Sequence, residues 1–273
     1  MIDLVALESK FVAIGARLKV ADPLRRDDGK IRLDIQSDRQ GEYFEIRRPV
    51  STGRELIATP QLEVLNVQKR DRHLLLMIRE LGEKSKFLCG HDERHWFVAA
   101  IPETASVGTV QAAKDALKPA EVIARQALVG IGFTQGNSRK NAAFRRQGEW
   151  FFLPDPAFRP NPKFLIRNEP LVRGGGGGKP HWVDECFRTG GEDVRVCPRY
   201  PNGVLQAEYE RIIRQEREAN TWNWRFMKRD PHVHVRGRIR HADHATITLP
   251  IWHRVLMNTE NQSKAMRHVA FLD

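Results

Sequence analysis

Hydrophobic and polar positions change period several times along the chain, and each period predicts an element. Leu4, Leu7, Phe11, Ile14 and Leu18 recur at spacings of three or four, the stripe of an amphipathic helix. The pattern then changes to alternation. Ile31, Leu33 and Ile35 alternate before a polar turn at Ser37–Gly41, and Phe44 and Ile46 alternate after it. Leu62 and Val64 lead into the charged turn Lys69–Arg72, from which Leu74–Ile78 returns. Lys86–Cys89 and Trp96–Ile101 flank a third turn. Six strands with a helix over one face follow from this pattern.

Ala-rich sequence between Thr109 and Val129 predicts two short helices broken at Pro119, a residue tolerated in the first turn of a new helix. The turn-rich stretch Gly130–Ser138 marks a boundary. It divides an N-terminal sheet with covering helices, residues 1–130, from a basic α+β domain, residues 137–273. In the second part Glu149–Leu153 predicts a strand, Pro154–Pro162 an extended connector, and Gly174–Gly178 a surface loop. A helix is expected from Asn202 to Glu218, capped by Asn202, with Leu205, Tyr209, Ile212 and Ile213 as its buried stripe. The fold class is therefore α+β, mainly antiparallel hairpins with a few packed helices.

The most regular segment is His232–Trp252, whose period is two throughout. It predicts a hairpin turning at His241–His244. Val233, Val235, Gly237 and Ile239 point one way on the first strand, and His232, His234, Arg236, Arg238 and Arg240 point the other. On the return strand Ala245, Ile247, Leu249 and Ile251 form the apolar face, and Thr246 and Thr248 lie opposite.

Charge gives that polar face a meaning. The chain carries a net +11, with 32 Arg against 13 Lys. Residues 1–136 hold 21 basic and 19 acidic side chains, net +2, and residues 137–273 hold 24 and 15, net +9. A partner drawn by this charge is a polyanion, and it meets the second half. Arginine forks, threonine hydroxyls and imidazoles are what a phosphodiester needs. The leading expectation is a nucleic-acid-binding protein, RNA or DNA, contacting phosphates through Arg236, Arg238, Arg240, Thr246 and Thr248, with Arg145, Arg146 and Lys179 contributing. The alternative is a phosphodiesterase or endoribonuclease using His232, His234 and His244 as acid and base, either metal-independent or zinc-assisted. An acidic protein is a third kind of partner.

Three cysteines, none in a C-x-x-C pair, exclude a four-cysteine zinc site and indicate free thiols in a reducing, cytoplasmic compartment. Zinc therefore requires histidine. Cys89, His91 and His95 form C-x-H-x3-H around a turn and are one candidate set. His241, Asp243 and His244 share the H-x-D-H end of a metallo-β-lactamase-like motif, but Ile239 stands at the preceding ligand position. His244–Thr246 supplies one H-x-T element where two-histidine phosphoesterases need two. No apolar run approaches the roughly 20 residues of a membrane span, and the N-terminus lacks a basic segment followed by a continuous apolar core.

Overall fold

In a computed structural model, the described residues are 4–22, 31–48, 60–80, 82–132, 135–173 and 179–264. The five glycines at 174–178 lie outside them. Among the described residues are four α-helices and sixteen strands, and every strand pair except one is antiparallel, as an α+β fold of hairpins requires. No helix among them is long and apolar enough to cross a membrane.

Helix α1 (Leu4–Val12) buries Leu7 and Phe11. Its stripe stops short of the expected Leu18, because Gly15 adopts φ +78° and turns the chain into β1 (Leu18–Ala21). Strand β1 runs parallel to β3 (Gly41–Arg47), which pairs in turn with β2 (Arg32–Asp38). A four-stranded meander follows: β4 (Gln61–Gln68), β5 (His73–Glu80), β6 (Glu83–Asp92) and β7 (His95–Ile101). One face of the meander packs Leu74, Leu76, Ile78 and Phe87 against Phe11, Leu33 and Phe44. The other packs Leu75, Leu88 and Ala99 against Val110 and Ala113 of α2 (Val110–Ala116). Cover on both faces explains the unbroken apolar run Leu74–Ile78.

Thr109 caps α2 by accepting the Ala112 amide at 3.1 Å, and α3 (Ala120–Leu128) begins directly after Pro119. Val122 of α3 packs with Phe144, Phe151 and Leu153, which belong to the second half of the chain. The Thr259 amide and hydroxyl also donate to the carbonyls of Leu117 and Ala116, so the two halves meet along a continuous seam.

The second half is a six-stranded sheet in the order β10, β11, β15, β16, β9, β8. These strands are β8 (Arg145–Gln147), β9 (Trp150–Pro154), β10 (Ile166–Leu171), β11 (His181–Thr189), β15 (His232–Arg240) and β16 (Ile247–Met257). The core face carries Phe152, Val183, Cys186, Val235, Ile239 and Leu249. A smaller sheet, β12 (Glu192–Cys197), β13 (Tyr200–Leu205) and β14 (Arg225–Arg229), projects from it with α4 (Gln206–Gln215). The helix is shorter than expected at both ends. Asn202 lies in β13 rather than capping a helix, because residues 200–205 pair with β12 and Gly203, at φ +74°, lies so close to Val194 that a Cβ would be 2.8 Å from its Cγ2. All three cysteines are buried free thiols.

Candidate metal centre

The expected arginine row forms, but not as an open cationic surface. The guanidiniums of Arg236, Arg238 and Arg240 reach two consecutive carboxylates of β11. Arg236 Nε donates to Glu185 Oε2 at 2.7 Å, Arg238 Nε to Asp184 Oδ2 at 3.0 Å, and Arg240 Nη2 to Asp184 Oδ1 at 3.3 Å. The Arg238 amide, followed by its guanidinium, holds the Asp184 carboxyl below the usual carboxylate range. Three cations against two anions leave this cluster at +1. A bulge at Gly237, φ +93°, brings the strands together here; a Cβ on Gly237 would stand 2.8 Å from that of Asp184.

The three histidines named as acid and base do not meet. His232 is exposed. His234 is 5% exposed, stacks on Phe158 at 3.8 Å, and places Nε2 3.3 Å from Asp155 Oδ2, as a core histidine does. His244 sits beyond the opposite end of β15. The return strand begins at Ile247, so Thr246 lies in the connecting loop; it and Thr248 are exposed, and Arg145 Nη1 donates to the Thr248 carbonyl at 2.7 Å. Lys179 is committed to Asp243 at 3.0 Å.

The set Cys89, His91 and His95 also stays apart. Cys89 is fully buried among the N-terminal core residues, and burial pushes its thiol pKa well up. His91 packs edge-on against Trp96, and His95 Nδ1 contacts Glu42 Oε1 at 2.6 Å. Among the described residues, the group of three metal-ligating side chains that does converge is His181, His241 and His244, with ligand atoms within 4.8 Å of one another.

Each of these imidazoles is placed by local structure. His181 opens β11, and alternation puts it on the same face as Val183, at the end of the core where Trp150 meets its ring edge-on. His241 and His244 come from the loop between β15 and β16. Gln147 Nε2 holds that loop by donating to the Ala245 carbonyl at 2.6 Å. The turn between β6 and β7 holds it from the other half of the chain: Glu93 Oε2 accepts the Ala245 amide at 2.8 Å and stands 3.5 Å from His244 Nδ1. His244 Nε2 is thereby turned away from Glu93, toward Gly148.

Gly148 provides the open space. It takes φ +57° in the tight turn between β8 and β9, and a Cβ there would lie 3.0 Å from His244 Nε2 and 3.3 Å from His181 Nε2. Two imidazole nitrogens thus converge on a cradle that any side chain would fill. His181 is 1% exposed, and neither of its ring nitrogens has a hydrogen-bond partner. A buried polar group is nearly always paired, so these two nitrogens are available to a ligand. His241 is already engaged: Nδ1 accepts the Asp243 amide at 3.1 Å and Nε2 donates to the Lys179 carbonyl at 3.1 Å. It must release one contact to bind a metal.

The electrostatics suit a cation. Burial drives His181 down to a pKa of about 3, and burial followed by the nearness of His241 lowers His244. Both are neutral at pH 7, the form that coordinates. Burial opposes the Glu149 charge, yet Arg173 at 3.0 Å keeps its pKa below the ordinary value; Arg173 also contacts Glu260 at 2.6 Å. The surrounding cleft, about 1220 Å³, is lined by seven Asp or Glu and six Lys or Arg side chains. The chain's positive charge is therefore not concentrated here.

His181, His241 and His244 would hold the ion through neutral imidazole nitrogens, donors that zinc accepts. Of the three, His244 was an expected catalytic histidine and His241 stood in the H-x-D-H turn; His181 was missed because it is a lone histidine far from that turn, and nothing in its neighbours marks it. The available signal was the turn itself, His241–His244, together with Gly148. No protein-family model matches the chain, and no curated protein or solved structure matches it either.

Proposed function

We propose that the chain is a metal-dependent hydrolase whose centre is a zinc ion held by His181, His241 and His244. The observation that carries this reading is His181, buried with both ring nitrogens unpartnered beside the Gly148 cradle. Imidazole donors suit zinc among the first-row metals, and three protein ligands with an open position are the pattern of catalytic rather than structural zinc. Glu93 stands 3.5 Å behind His244 Nδ1, where an outer carboxylate would orient a metal-bound histidine. A zinc ion held by these three imidazoles would supply a bound water of lowered pKa as the nucleophile for hydrolysis. Glu149, next to Gly148 and lining the same cleft, is engaged by Arg173 and would have to release that contact to take up a proton.

The test is metal binding followed by activity. Chelator-treated protein titrated with zinc is expected to bind one equivalent, with heat and thermal stabilisation both lost in His181→Ala, and the loaded protein to hydrolyse a member of a chromogenic ester panel. Wild-type protein that takes up no zinc, or binds it as well without His181, contradicts the reading.

Nucleic-acid binding on the outer face is the second reading, supported by the net +9 of residues 137–273. Its arginines are paired at the surface, where ion pairs are worth about 0–1 kcal/mol and open readily. Affinity for a labelled oligonucleotide that falls steeply with salt supports it; no binding at low salt removes it.

A further inference from the structure

We infer that Arg146 is the anion-binding group of the histidine centre, and that the substrate this centre takes carries a phosphate ester. The inference rests on the metal reading above. Arg145 and Arg146 are neighbours on β8 and point to opposite sides: Arg145 reaches the Thr248 carbonyl, and Arg146 faces the cleft that also contains His181, His241, His244 and Gly148.

Within that cleft the other cations are occupied. Arg139 binds both Asp92 and Glu93, the latter at 2.5 Å, Arg173 binds Glu149 and Glu260, and Lys179 binds Asp243. Arg146 differs. Its one ion pair is with Asp92 at 3.5 Å, a carboxylate it shares with Arg139, and its guanidinium makes no hydrogen bond among the described residues. Its Nε is fully enclosed and unpartnered. Burial, offset in part by Glu93, lowers its pKa, the mark of an undercompensated cation.

Glu93 lies between the two: its charge partly offsets the burial of Arg146, and its Oε2 stands 3.5 Å from His244 Nδ1. An oxyanion bound to the metal through one oxygen can present two others to a planar arginine fork, which phosphate matches bidentately. The sign of the walls adds a condition. With seven carboxylates against six cations, the cleft favours an anion only after a divalent ion has entered.

The experiment is calorimetric titration of inorganic phosphate into zinc-loaded and chelator-treated protein, for the wild type, Arg146→Gln and Arg146→Lys. p-Nitrophenyl phosphate and bis-p-nitrophenyl phosphate serve as competitors, separating monoester, diester and free phosphate. Zinc-loaded wild type is expected to bind phosphate, and chelator-treated protein to bind it more weakly. Arg146→Gln should lose about tenfold or more in phosphate affinity, the worth of a charge-assisted pair, with zinc affinity within about twofold. Arg146→Lys keeps the charge without the fork and should fall between; it serves as the readout if the glutamine variant does not fold. Phosphate bound equally by both variants with zinc in place overturns the inference and leaves the metal centre standing. Failure of wild-type protein to bind zinc overturns both.

Discussion

His73 lies over Gly90 across the ladder between β5 and β6, so close that a Cβ on Gly90 would stand 2.3 Å from the ring Cδ2. The glycine is required by its neighbour rather than by its backbone. Gly90→Ala is expected to destabilise the protein by about 1–3 kcal/mol, the usual cost of overpacking. Chemical denaturation of Gly90→Ala, His73→Ala and the double variant tests the cause: the alanine at 90 should cost far less once the ring is gone. Simple additivity would show that the two side chains do not compete for the space.

The same ring sets a pH dependence. Burial, then the charge of Lys114, lowers the His73 pKa to about 4, against about 6.5 in the unfolded chain. Between these values the unfolded state binds the proton and the folded state does not, so the stability contributed by neutral His73 is complete above about pH 6.5 and falls as pH drops toward 4. Urea midpoints measured across this window should decline less in His73→Gln than in the wild type. An equal decline in both would assign the effect to other groups.

For the histidine centre, the three ligands are expected to differ. His181 and His244 already face the Gly148 cradle, whereas His241 must give up a hydrogen bond. His181→Ala and His244→Ala should abolish zinc binding at micromolar metal, and His241→Ala should weaken it while leaving it measurable by titration. Without metal, His181→Leu is expected to melt no lower than the wild type, since it removes two unpaired buried nitrogens at similar volume. A large loss of stability in metal-free His181→Leu would mean the imidazole is satisfied within the protein.

On the outer face, Asp184 restrains Arg238 and Arg240 together. Asp184→Asn is expected to release both and move elution from a heparin column to higher salt. Unchanged elution would mean that this face does not meet polyanions.

The hairpins of the N-terminal half and of His232–Trp252 were legible because one buried face imposes alternation on the sequence, though against the expected faces His234 is buried and Ala245 and Ile251 are exposed. Strand β1 was not, since Leu18 continues the helical spacing and the break depends on the conformation of Gly15. The start of α4 was misplaced for a related reason: Asn202 has the chemistry of a helix cap, and long-range pairing of β13 with β12 overrides it. The arginine row was legible, but its partners on β11 were not, because strand neighbours depend on the order of the sheet. His181 was invisible for the same reason, as its role arises only where β11 meets the loop after β15.

The brace behind His244 is contributed by Glu93, from the opposite half of the molecule. A fragment beginning at residue 137 would hold every imidazole of the centre yet lack that support, so it is expected to bind zinc more weakly than the full chain. Selection on one half would then be felt in the other.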